Sequence, residues 1–177
     1  MRVRIGSLVA ASAVLAGTLV SGSSVAAVAA APSLAPAGVC SGGLKYDITS
    51  NKLLHISVGK TFKKGPGGTL TGKVTKKEMI RSRVPVTGGA SAAGVIAQAK
   101  REVKDTLRKE VPTSVGSKFT RKVAKKKYGN MRYGSWGQQV KWRYYQETPD
   151  CKRTTRATGT ANIVSTLRGW RYWETAS

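Results

Sequence analysis

Histidine, cysteine and carboxylates are scarce in this chain: 177 residues carry one His, two Cys and eight Asp plus Glu. Cys40, His55 and Cys151 stand far apart and make none of the usual zinc spacings, so no metal is expected. Nor is a cofactor expected. No Walker loop is present, and Ser, Thr and Lys occur without a G-x-S-x-G or S-x-x-K context. No internal repeat is visible. Apolar residues reach 40%, enough for one core but too few for a membrane protein. At this length the chain is one domain, or one domain with a tail.

Positive charge is what the sequence has in excess. Lys and Arg number 31, giving a net charge of +23 and a pI near 10.6. That exceeds what solubility needs and argues against a near-neutral metabolic enzyme. It points to an anionic partner without naming it.

The one long uncharged run is at the start. Met1 to Ile5 is short and basic, Gly6 to Val20 has no charge, and small residues follow. This order matches a secretory signal peptide, with Ala27-Val28-Ala29 as the cleavage motif. The run is also long enough to span a bilayer, but its Ala, Gly and Ser content and cleavable end favour export. A lipoprotein signal is excluded by Val39 beside Cys40. The Ala/Val/Gly-rich leader resembles those of proteins exported by high-GC Gram-positive bacteria, a likeness confined to the first thirty residues or so. Cleavage after Ala29 removes 29 of the 177 residues, leaving 148, and the loss of Arg2 and Arg4 takes the charge from +23 to +21. The expected organisation is a signal peptide (1–29), a flexible leader (30–39) and one basic domain (40–177), secreted or associated with the cell wall. No membrane span remains after cleavage.

Export gives the cysteines a meaning, because disulfides persist outside the cytosol. Cys40 and Cys151 are expected to pair within the chain. Closing a loop of about 110 residues contributes on the order of 4–5 kcal/mol in the chain-entropy account, less any strain.

The hydrophobic pattern predicts an α+β fold, with one amphipathic helix on an antiparallel sheet of about five strands in the order β-β-α-β-β-β. Leu54, Ile56, Val58 and Phe62 alternate with polar residues. Leu70, Gly72 and Val74 do the same after Gly65-Pro66-Gly67-Gly68, which suggests a hairpin. Ala92, Ile96, Ala99, Val103 and Leu107 form one helical stripe between the N-cap Ser91 and Val111, before Pro112. Arg101 and Asp105 stand at pairing distance on that helix, and Glu102 also reads as an ion-pair partner. After the helix, Lys118–Val123 is short and mixed, and strands are expected at Gln138–Glu147, Ala157–Leu167 and Trp170–Trp173.

Cations and rings meet in the last third. Lys118 to Ser177 hold ten of the twelve aromatics and fourteen Lys or Arg against three acids. Such interleaving suits a polyanion that carries flat or sugar groups. Lys125, Lys126 and Lys127 form a basic turn between strands. Val140, Trp142 and Tyr144 belong to the core by alternation. Lys141, Arg143 and Tyr145 take the other face, with Tyr145 expected to be exposed for stacking.

The expected function is non-catalytic binding of an anionic polymer, either nucleic acid or an anionic wall polymer. One alternative is a structural or interaction protein with a protein partner, in the cell envelope or in a secreted complex. The other is a small ribonuclease-like toxin, for which His55, Glu147 and Arg143 would supply base, acid and cation.

Overall fold

The computed structural model describes residues 40–176. The expected signal peptide, its cleavage site and the leader lie outside the described residues. Among those described, sheet accounts for 61% and there is one short helix. The elements run β1 (Gly43–Lys64), β2 (Thr69–Lys73), β3 (Met79–Arg81), α1 (Ala92–Glu102), β4 (Leu107–Arg108), β5 (Glu110–Pro112), β6 (Lys118–Lys122), β7 (Lys127–Glu147), β8 (Arg153–Ser165) and β9 (Arg168–Ala176).

β7 is the axis. β1 runs antiparallel along one of its edges, from Glu147 back to Gly129. The other edge is shared end to end: β9 pairs with residues 127–135 and β8 with residues 138–147. β4 continues the sheet beyond β8, giving five strands in the order β1-β7-β8-β4 with β9 also on β7.

Alternation along β7 divides the core between the two faces of this sheet. Even-numbered Val140, Trp142 and Tyr144 pack with Val95, Ile96 and Ala99 of α1. Odd-numbered Tyr133 packs with Val74, Ile80 and Val111, and Met131 with Leu70 and Val123. Adjacent residues of β8 split the same way, Ile163 to the helix side and Val164 to the other. The helix therefore covers one face at one end. The two-stranded pairs β2–β6 and β3–β5 cover the opposite face at the other end. A disulfide joins Cys40 to Cys151 with the Cα atoms 5.2 Å apart, tying the start of β1 to the β7–β8 connection.

Several expectations need correction. The turn after β1 exists, but no β1–β2 hairpin forms, because β2 pairs with β6. Ser91 caps the helix, its hydroxyl accepting from the Gly94 N–H at 3.0 Å, yet the helix stops at Glu102 rather than Val111. Leu107 still reaches the same core, wholly buried, but from β4 paired with β8. The apolar stripe thus marks burial correctly while the element changes, a case of tertiary pairing overriding local periodicity. The Arg101–Asp105 pair does not form, since Arg101 donates to Gln98 at 2.6 Å. Glu102 instead accepts the Ile48 N–H of edge strand β1 at 3.0 Å. Three strands of two or three residues, β3, β4 and β5, were not expected, and the strand order differs accordingly.

Candidate functional site

The six residues expected to bind a polyanion fall into two groups. Lys125, Lys126 and Lys127 are exposed on the connection from β6 into β7. Lys127 lies 3.8 Å from Glu174, whose carboxylate also accepts the Ala124 N–H at 3.1 Å and so helps to shape the turn. Lys141, Arg143 and Tyr145 sit at the far end of β7. At roughly 3.3 Å per residue, Lys141 is up to about 46 Å from Lys127 along the strand, too far for one patch.

Within the second group, Lys141 is exposed and Arg143 is half-buried, its guanidinium 2.6 Å from Asp47. Tyr145 departs from expectation, since only 6% of it is exposed. A register shift follows Tyr144. The Arg143 and Arg153 guanidiniums lie 5.2 and 5.1 Å from the centre of the Tyr145 ring. The chain's own cations therefore occupy the cation–π positions that the alternation left open for a ligand.

The structure does not bring His55, Glu147 and Arg143 together. His55 is in register with Trp136, and Arg143 with Asp47, seven positions apart on β7 or roughly 23 Å. His55 is 8% exposed. Its ring meets Trp136 edge-on at 4.5 Å, and its Nε2 donates to the Gly169 carbonyl at 3.2 Å. Burial pushes its pKa below the ordinary value, with help from nearby Arg171 and Arg132, while the Gly169 bond opposes the shift. The Glu147 carboxylate is 3% exposed and paired with both Lys45 and Arg153, the latter at 3.0 Å. Hydrogen bonding from Lys45, then from Arg153, holds its pKa below the ordinary carboxylate value against the cost of burial. Both groups are committed to the fold.

A second surface was not foreseen in the sequence. A cleft of about 390 Å³ opens between the β1 bulge, the end of β2 and Trp170 of β9. Val58, Phe62, Val74, Tyr133 and Trp170 line its floor, and Lys60, Lys73 and Lys76 its rim. The aromatic residues were visible in the sequence, and Lys73 stands at a polar position of the second alternation, but Lys60 interrupts the apolar face of the first and Lys76 lies beyond the second. Their convergence depends on β2 leaving β1 for β6, which no local signal announces.

Among the described residues, no three His, Cys, Asp or Glu side chains cluster as metal ligands would. Likewise, no described helix is long and apolar enough to cross a membrane. No protein-family model matches the chain, and comparison with curated proteins finds no match.

Proposed function

We propose that the protein is an exported, non-catalytic binder of an anionic polymer, a nucleic acid or an anionic wall polymer. The observation that carries this reading is the charge left over after internal pairing. Five of the eight acids, Asp47, Glu110, Glu147, Asp150 and Glu174, are used in ion pairs within the fold. Residues 30–177 hold 29 Lys and Arg, of which only six enter those pairs. Apart from Arg132, the unpaired cations are exposed. A surface so dominated by one sign attracts polyanions and binds them by releasing their condensed counterions.

The test is affinity for single-stranded DNA, RNA and polyglycerol phosphate across a range of salt. Binding is expected to weaken steeply with salt and to depend little on sequence. Replacing Lys125, Lys126 and Lys127 with Ala should lower the log–log slope by roughly one unit for each phosphate contact removed. Absence of affinity for every polyanion at low salt would overturn the reading in favour of an interaction protein.

A further inference from the structure

We propose that the cleft beside Trp170 is a nucleotide-sized subsite for single-stranded nucleic acid, with a base on its aromatic floor and the adjoining phosphate among Lys60, Lys73 and Lys76. The inference rests on the anionic-polymer reading above and narrows it to one polymer class.

The three lysines come from separate segments: Lys60 from the β1 bulge, Lys73 from the end of β2 and Lys76 from the connection that follows. All are exposed and none enters an ion pair among the described residues, while the Lys60 ammonium lies 5.7 Å from the centre of the Phe62 ring, which leaves Trp170 and Tyr133 as the stacking rings. Like charges converging over an apolar wall raise the local potential, and an arriving phosphate relieves it. Glu78 is the only acid on the lining, and it too is exposed.

The lip of the cleft is built by the backbone. Val58 is in register with Tyr133 and Phe62 with Met131, so β1 carries two more residues than β7 across this interval. Gly59, at φ +70°, starts the excursion that lifts Lys60 out of the ladder. The Arg132 guanidinium anchors the excursion by donating to the Gly59 carbonyl at 3.2 Å. Bulges commonly re-aim side chains in this way. Below the lip, Trp170 meets Phe62 and Tyr133 edge-on, with ring centres 5.4 and 5.3 Å apart.

Size and hydrogen bonding favour a nucleotide. A volume near 390 Å³ falls in the small-ligand range of about 300–1,000 Å³, and a cleft of that size cannot seat a duplex. Several polar groups of the lining bond within the fold. The Tyr133 hydroxyl accepts from the Ser114 N–H at 3.1 Å, and Trp170 Nε1 donates to Ser117 at 3.2 Å. The Thr113 hydroxyl donates to the Lys76 carbonyl and accepts the Glu78 N–H, both at 3.0 Å. A hydroxyl-rich unit of a wall polymer would find its polar partners at the exposed Thr75, Glu78 and lysines of the rim rather than on the apolar floor. A base presents a flat face that asks only for stacking.

The experiment compares oligothymidylate with polyglycerol phosphate of similar charge. Binding is measured for the wild type and for two triple variants of equal charge change, Lys60→Glu/Lys73→Glu/Lys76→Glu and Lys125→Glu/Lys126→Glu/Lys127→Glu. The wild type is expected to prefer oligothymidylate, with tryptophan fluorescence quenched by it and not by the base-free polymer. The cleft variant should lose on the order of ten- to hundredfold more oligothymidylate affinity than the turn variant, since it removes the local contacts as well as the charge. Equal losses in the two variants, or equal wild-type affinity for the two polymers, would overturn the subsite while leaving polyanion binding standing. Failure of the wild type to bind either polymer at low salt would overturn the parent reading.

Discussion

At the scale of single residues, Glu147 and His55 are the buried acid and imidazole among the described residues, and each makes the fold sensitive to acid. Glu147 has its pKa lowered from 4.5 by the bonds from Lys45 and Arg153. A carboxylate with a depressed folded pKa adds stability above its unfolded pKa, and that stability is lost as pH falls through the folded value. His55 has its pKa lowered from 6.5 by burial. The fold therefore favours its neutral form, and stability begins to fall as pH drops below about 6.5. Both effects have the same sign. The melting temperature should decline from mildly acidic pH downward, and more steeply below pH 4.5. Glu147→Gln should melt lower at pH 7 and show a flatter acid limb in a calorimetric pH series. The same burial bears on chemistry. Proton transfer at phosphate near neutral pH suits an imidazole, and the only one here is packed against Trp136 and bonded to Gly169. Structured RNA should therefore survive incubation with the protein. RNA cleavage that His55→Ala abolishes would reverse that conclusion.

At the scale of elements, the helix shows two local terms in competition. Ser91 caps the first turn, and its own N–H donates to the Tyr46 hydroxyl at 2.8 Å. Ser91→Ala should cost about 1 kcal/mol, read from a denaturant midpoint. Gly94 lies one turn in, and helix propensity alone would favour Ala there by about 1 kcal/mol. A Cβ at Gly94, however, would come within 2.5 Å of the Tyr46 ring. Overpacking of that kind costs typically about 1–3 kcal/mol, so the denaturant midpoint of Gly94→Ala should report a destabilisation of up to about 2 kcal/mol, against its propensity.

The same elements show what the sequence could reveal. Period-two patterns identified the alternation at Leu70–Val74 and Val140–Tyr144 because one face of each strand is buried, whereas at Leu54–Phe62 the apolar face is only half-buried and the buried residue is His55 on the other face. Ser91 was legible because capping is local chemistry. The end of the helix was not, since Leu107 satisfies the same stripe from a strand, and periodicity records burial rather than the element that delivers it. The partner of β2 was also hidden. Gly65-Pro66-Gly67-Gly68 announces a turn but not which strand lies across it. Tyr145 was misplaced because a register shift beside Tyr144 and two flanking arginines are tertiary facts. The excess of positive charge was readable, while the cleft lysines share a surface only through the β2–β6 pairing.

At the scale of the whole molecule, the charge works against compaction and the disulfide works for it. Like charges on the surface repel in the folded state and separate on unfolding, so added salt should raise the melting temperature even as it weakens polyanion binding. The bond from Cys40 to Cys151 spans 111 residues and so restrains the chain from β1 to the end of β7, with β8 and β9 outside the loop. Restricting so long a loop in the unfolded ensemble contributes on the order of 4–5 kcal/mol in the chain-entropy account. That is a large part of the roughly 5–15 kcal/mol by which a domain is usually stable. Such a bond persists in an oxidising compartment and is consistent with the export expected from the first 29 residues. Protein recovered outside the cell should therefore begin at Ala30 and show a two-proton mass deficit against the reduced form. Reduction, or Cys40→Ser/Cys151→Ser, should lower the melting temperature by well over ten degrees at low salt. The loss should be smaller at high salt, where the reduced chain no longer has to hold its unscreened charge together. Two alkylatable thiols in native exported protein, or equal melting of the oxidised and reduced forms, would show that packing around β7 alone carries the fold.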